Sequence, residues 1–254
     1  MIGAKSRGQT SAGTTPPGAS GEQQAAEWVQ RMFAGIAPKY DLLNHVLSLN
    51  VDRRWREVLM SRLAPVLKRP GTRALDLCCG TGDVLLAMHE IAVGPVMGAD
   101  FCHPMLLSAQ EKAERKRVAL KLIEADGLQL PLPEGALDAI SIVFGFRNFA
   151  NYSAGLRELH RVLKPGGLLA ILEFSQPRGL FLKSAYGFYS RFILPNIGGL
   201  LSGSREAYAY LPDSIRKFPS ATELCSMMQA VGFRDNQFEL LTGGIAALHV
   251  GHKS

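Results

Sequence analysis

Asp76-Leu77-Cys78-Cys79-Gly80-Thr81-Gly82-Asp83 is the stretch that decides the fold. The run before it, Arg73–Leu77, is short and apolar. The residues after it, Val84–Ile91, carry helical spacing. A strand, a glycine loop and a helix in that order open a parallel α/β unit, in which ligands bind beyond the carboxyl ends of the strands. Glycines at 80 and 82 let such a ligand approach the backbone closely.

Outward from this loop the pattern alternates. Gly94–Asp100, Ala119–Glu124, Ala136–Phe144 and Leu168–Phe174 read as strands. Met105–Lys116 reads as a helix between them, and Leu156, Leu159 and Leu163 mark the buried face of another, ended by Pro165-Gly166-Gly167. Near-continuous apolar strands are expected where helices cover both faces of a parallel sheet. A helix over Ala221–Val231 and strands near Asn236–Leu241 and Ala246–Gly251 follow. The expected architecture is a doubly wound, mostly parallel, seven-stranded Rossmann-like α/β sheet, with one domain over 22–254.

Two regions stand outside this rhythm. Ahead of the sheet, 22–70 reads as a helical cap: Trp55, Leu59 and Leu63 form one stripe, and Pro38 forbids a single long helix. After the fifth strand, 175–218 is an apolar insertion rich in Phe, Tyr, Leu and Gly, expected to form a lid or substrate wall. Residues 1–21 hold almost no large apolar side chains, so they are expected to be a disordered tail whose removal is silent.

The loop also limits the ligand. A dinucleotide site wants a third small residue where Leu85 stands, and Asp83 would repel a pyrophosphate. No Gly-Lys-Ser/Thr follows, so a phosphate loop is excluded. A ligand without phosphate and with a positive centre fits Asp76, Gly80, Gly82 and Asp83 better, and S-adenosylmethionine is such a ligand. Asp100 ends the second strand, where a carboxylate accepts from both ribose hydroxyls, or else caps the next helix. Asp126-Gly127 follows the third strand. It either accepts from the adenine amino group or is a turn pair before Pro131.

Composition excludes other classes. With 254 residues, 47% of them hydrophobic, the chain can bury a full core unaided. The four cysteines make no C-x-x-C pair, so neither zinc nor a disulfide framework is expected, and no metal. No signal peptide or apolar run of spanning length is found, which points to a reducing, cytoplasmic setting. A net charge of +6 permits an anionic partner such as a lipid surface or RNA.

Several segments together resemble the quinone C-methyltransferases of menaquinone and ubiquinone synthesis, a branch of the class I methyltransferases. They are Phe33–Asn44, Asp76–Asp83, Phe144-Gly145-Phe146-Arg147-Asn148, Leu163–Gly167, Ser214–Pro219 and Leu241–Ile245. The resemblance runs from about Met32 to Lys253. It implies S-adenosylmethionine as co-substrate, with contacts at Thr81, Asp100 and Asp126-Gly127. Val143 stands where many relatives have a contacting polar residue, and Cys78-Cys79 stands where small residues are frequent.

The resemblance further implies methyl transfer to a ring carbon of a polyprenylated quinol. Arg147 and Asn148 would then steady a quinolate oxygen or orient a water, unless they form only a loop ion pair and a turn. Tyr40 would gate the site, and Asp41 or His45 would relay a proton, against the plainer reading of a packing tyrosine and a helix cap. His103, His160 and His249 receive no catalytic role; His160 is read as exposed. The apolar stretch 179–203 is either a buried lid helix or the entry wall for a prenyl tail. Val51–Arg56 resembles members that act on naphthoquinols alone, so demethylmenaquinol is the first substrate and the benzoquinol of ubiquinone synthesis the second. Such a substrate implies peripheral contact with the inner face of the plasma membrane, no nucleic acid, and is compatible with a homodimer. Two rivals are an RNA methyltransferase, which would want clustered basic residues, and a quinone carrier without catalysis, which need not keep the glycine loop.

Overall fold

Seven strands form one sheet in the computed structural model, which describes residues 13–41, 48, 50–177, 179 and 205–254. The strands are β1 Ala74–Leu77, β2 Val96–Asp100, β3 Lys121–Glu124, β4 Leu137–Val143, β5 Leu163–Phe174, β6 Phe233–Leu241 and β7 Ala246–Lys253. Their order is β3-β2-β1-β4-β5-β7-β6, with β7 antiparallel to both neighbours and the rest parallel. The chain leaves β1 toward β2 and β3 on one side and returns to β4 on the other. The β1–β4 border is therefore a topological switch point, where a crevice opens at the carboxyl ends.

The helices among the described residues are α1 Glu22–Ile36, α2 Val51–Leu67, α3 Asp83–Ile91, α4 His103–Arg115, α5 Tyr152–Val162, α6 Arg205–Lys217 and α7 Ala221–Val231. Strand alternation sorts the core into two faces. Leu75, Leu77, Ile140, Ile142, Leu169 and Ile171 pack on α5 and α7. Ala74, Ala139, Ala170 and Leu172 face the Trp55-Leu59-Leu63-Leu67 stripe of α2 and the buried side of α3. Asp76 follows the same parity and is buried beneath α3, where its Oδ1 accepts from the Ser141 hydroxyl at 2.7 Å.

Two local expectations are corrected. Leu163 does not belong to α5: that helix ends at Val162, and Leu163 already pairs with Leu137 at the start of β5. Pro165-Gly166-Gly167 lies inside the long strand as an irregularity, with Gly166 at φ +76°. His160 is half-buried rather than exposed, its ring edge-on to Phe233 at 5.2 Å.

The expected tail over 1–21 is also corrected in its second half. Residues 13–16 lie against the fold. The Thr14 amide donates to Phe149 O at 2.8 Å, its hydroxyl meets the Tyr210 hydroxyl at 2.7 Å, and Lys217 Nζ donates to Thr15 O at 3.1 Å. A Cβ on Gly13 would fall 2.0 Å from Ala150 O. Lack of apolar side chains did not forbid order here, because hydrogen bonds to backbone and hydroxyl groups hold the segment. Deleting residues 1–20 should lower the melting temperature by about 4–8 °C, from roughly two lost buried hydrogen bonds. A melt within a degree of wild type would show that these contacts contribute nothing. Most of the insertion over 175–218, and His45, lie outside the described residues.

Candidate functional site

At the switch point a partly open cleft lies over the ends of β1, β2 and β4. Its floor is the glycine loop. Cys78 sits at φ +57° and Gly80 at φ +53°, left-handed geometry that bends the chain sharply after β1. Gly82, at φ +84°, starts α3, and its Cα is packed against Ala109 of α4 rather than in the cleft. The Cys78 and Cys79 thiols are held well above the usual range by burial and by the nearby Asp100 and Asp76 carboxylates, so neither is a nucleophile at neutral pH.

One wall carries the acids. Asp100 is buried at the end of β2, with Oδ2 accepting from Gly80 N and Oδ1 from Cys102 N, each at 2.9 Å. Burial pushes its pKa up to about 6, against the pull of those two amides. Asp126 lines the same wall and accepts from Leu128 N at 2.9 Å. Beside it Gly127 must be glycine, since a Cβ there would meet the Phe149 ring at 2.4 Å. Among the described residues no lysine, arginine or histidine lines the cleft. An apolar cleft with two carboxylates and no cation suits a cationic nucleoside and repels a polyphosphate.

Several expected site residues lie elsewhere. Asp76 is not in the cleft: it is buried under the loop, where burial raises its pKa to about 7. Thr81 turns its hydroxyl toward the cap, donating to Asp41 Oδ1 at 2.5 Å, and Lys112 Nζ donates to it at 3.2 Å. Asp83 cannot act as the free repelling charge that the sequence suggested. Arg56 at 2.6 Å and Lys112 at 2.5 Å neutralise it, and although burial opposes its charge these cations hold its pKa below the ordinary carboxylate range. Lys112 also pairs with Asp41 at 2.6 Å. The Asp41-Lys112-Asp83-Arg56 chain therefore ties the helical cap to the glycine loop. Tyr40, next to it, lines the cleft, its ring edge 3.7 Å from the Cβ position of Gly80.

The far wall is the turn after β4. Val143, Phe144, Gly145 and Asn148 line the cleft; Arg147 does not. Its buried guanidinium donates to Glu173 Oε1 at 2.8 Å and to Phe144 O, and lies 5.3 Å from the centre of the Phe174 ring. Glu173 also accepts from the Arg147 and Phe174 amides. Burial alone would lower the Arg147 pKa, but Glu173 reverses this and raises it. Arg147, expected to steady a quinolate oxygen or orient a water, is set back from the cleft in this structure. It is a buried ion pair that shapes the turn, while Asn148 reaches the cleft. Asn148 Oδ1 accepts from the Tyr210 hydroxyl at 3.0 Å. His249 is buried, with Nε2 donating to Ala221 O, and burial lowers its pKa to about 4.

The reading of residues alone missed Glu173, Lys112, Arg56 and Tyr210. Glu173 left one signal: it is the lone acid in the apolar run Leu168–Phe174. Buried charges of that kind are paired.

Residues 19–253 match the ubiE/COQ5 methyltransferase family. A Thermus thermophilus protein named demethylmenaquinone methyltransferase is 48% identical over 223 residues, spanning 87% of this chain and 100% of its own. A Deinococcus radiodurans protein of the same name is 44% identical over 238 residues, spanning 93% and 97%. Among solved structures, the [4+2]-cyclase SpnF superposes with a TM-score of 0.68 at 17% identity over 94% of this chain and 99% of that one. A SAM dependent methyltransferase from Aquifex aeolicus gives 0.57 at 18% over 78% and 89%. At such identities the structural likeness concerns the fold alone.

Proposed function

The chain belongs to the ubiE/COQ5 methyltransferase family, and from that premise we propose that it methylates a ring carbon of demethylmenaquinol with S-adenosylmethionine, giving menaquinol. The observation that carries the co-substrate is the acid-lined cleft at the switch point, with Asp100 and Asp126 on one wall and no cation among its described lining. The relatives at 48% and 44% identity carry the choice of quinol. S-adenosylmethionine supplies an electrophilic methyl on a sulfonium, which a ring carbon of the quinol accepts.

The chain's own residues then divide the work. Asp100 accepts from the ribose hydroxyls and Asp126 from the adenine amino group. The Gly80 and Gly127 backbones give close approach. Tyr40 and Phe33 cover the cleft from the cap and exclude water, which strengthens the attraction between a quinolate and a sulfonium. Asn148 donates to the quinol oxygen. Arg147, paired with Glu173, holds the turn that carries Asn148. Thr81 and Asp41 keep the cap closed on the loop. Holding both reactants in line can lower the barrier by up to about 7–11 kcal/mol, so such positioning is the larger share of the catalysis.

No helix among the described residues is long and apolar enough to cross a membrane. A polyprenyl substrate resides in the bilayer, so this reading sets the enzyme at the membrane surface. The test is a methylation assay with demethylmenaquinol and with the benzoquinol precursor of ubiquinone, both reduced chemically. Higher kcat/KM on the naphthoquinol is expected. Equal or better turnover of the benzoquinol would overturn the choice of substrate, and failure of calorimetry to detect S-adenosylmethionine binding would overturn the reaction itself.

A further inference from the structure

We propose that Tyr210 is a positioning residue whose hydroxyl orients the Asn148 carboxamide so that its Nδ2 group donates into the cleft. The proposal rests on the reading of the cleft as a quinol methylation site and adds a determinant of its geometry.

Asn148 ends a 3₁₀ turn, Phe146–Asn148, directly after β4, and it is the polar side chain on that wall of the cleft. A carboxamide has one acceptor oxygen and one donor nitrogen, and rotation about its last torsion interchanges them at little cost. Here Oδ1 accepts at 3.0 Å from Tyr210, a residue that does not itself line the cleft. With the oxygen held there, the donor nitrogen is what the amide presents on its other side. A donor aimed where negative charge develops on a quinol oxygen lowers the barrier; an acceptor aimed there raises it.

Tyr210 is fixed from three directions. It is 4% exposed on α6, and its ring meets Trp28 of α1 at a centroid distance of 4.9 Å. The phenol has a single proton. Because that proton goes to Asn148, its oxygen accepts from Thr14 Oγ1 at 2.7 Å. Thr14 is itself pinned by its amide to Phe149 O, one residue beyond Asn148. An N-terminal segment, α1 and α6 thus converge on the orientation of one amide. Tyr210 does not line the cleft, so it acts through Asn148 and not on the substrate.

Tyr210→Phe removes the hydroxyl and keeps the ring on Trp28. It should lower kcat by about tenfold, in line with one lost buried hydrogen bond, while the dissociation constant for S-adenosylmethionine stays within about two-fold. Thr14→Val should act in the same direction, more weakly. The deciding readout is the cycle with Asn148→Ala. In that background Tyr210→Phe should cost nothing further in kcat, because no amide is left to orient. A tenfold loss in both backgrounds would mean that Tyr210 merely supports the fold, and overturns the proposal. So would an Asn148→Asp variant with wild-type kcat, since an ionised carboxylate donates no hydrogen bond. The cycle is run on whichever quinol the wild-type protein methylates. A wrong substrate then shows in the wild-type rates, and a wrong role for Tyr210 shows in the cycle.

Discussion

Asp100→Ala should raise the dissociation constant for S-adenosylmethionine by about 10²-fold or more, while kcat at saturation should stay within a few-fold. Hydrogen bonds to a charged group contribute about 1.5–3 kcal/mol each, and the ribose offers two hydroxyls to this carboxylate. Both are made in the ground state and the transition state alike, so their loss falls on binding and not on the chemical step. The substitution also leaves the Gly80 and Cys102 amides without the acceptors they have at 2.9 Å, which loosens the glycine loop. Asp100→Asn keeps one acceptor oxygen and should lose less. Titration calorimetry measures the change; an unchanged dissociation constant would remove Asp100 from the binding site.

The same carboxylate predicts a pH dependence. Its pKa is raised to about 6 by burial, and only the ionised form accepts from both hydroxyls. Affinity for S-adenosylmethionine should therefore be flat above pH 6 and fall tenfold per unit below it. The effect on stability has the opposite sense. Asp100 and Asp76, at about 6 and about 7, are both raised above their unfolded values. Their contribution to the stability of the ligand-free protein is fully present below about pH 4. It is lost as pH rises through 6 and 7. Between about pH 4 and pH 6, therefore, affinity should rise with pH while ligand-free stability falls; above pH 6 only stability should continue to fall.

Glu173→Ala should destabilise the protein by about 3–5 kcal/mol, because it strands the Arg147 guanidinium in the core. For a domain of this size that corresponds to roughly 6–20 °C in melting temperature. The carboxylate also serves the Arg147 and Phe174 amides, so the turn that presents Asn148 should lose its shape and kcat should fall with stability. The double substitution Arg147→Met/Glu173→Leu separates the two effects. Replacing a whole buried pair by apolar side chains is often neutral for stability, so the melt should recover most of its loss. Turnover should not recover, since neither side chain can bond Phe144 O or the turn amides. Thermal melts with single-turnover rates test this. A Glu173→Ala protein that melts like wild type would show that the pair is not a structural requirement. A double variant with wild-type turnover would show that it does not shape the site.

The sheet was legible because its signals are local and repeated. Apolar runs of strand length that alternate with helical spacing point to a doubly wound parallel sheet, while the strand order is seen only in the structure. The loop and the aspartates at 100 and 126 came from the same local grammar: each sits at the carboxyl end of a strand, where such sheets place their ligands, whereas Asn148 came from the resemblance carried by Phe144–Asn148. Direction within the loop was less legible. Asp76 reads as a site residue by position, yet strand parity turns it under α3 toward Ser141. Asp83 reads as an acid that would repel a pyrophosphate, yet Arg56 and Lys112 pair with it.

By itself, then, the order of residues determined the α/β architecture, the position of the cleft and the carboxylates that face it, because periodicity and turn chemistry act between near neighbours. The tertiary structure alone decided which of those side chains line the cleft and which are paired away from it. Arg147 meets Glu173 across 26 residues, Thr81 meets Asp41 across 40, and Thr14 meets Tyr210 across 196. Pairings at such separations leave no trace in spacing. They exist because strands β4 and β5 lie side by side, because the cap folds back over β1, and because the N-terminal segment crosses α6. Each pairing ties together segments that are far apart in the sequence.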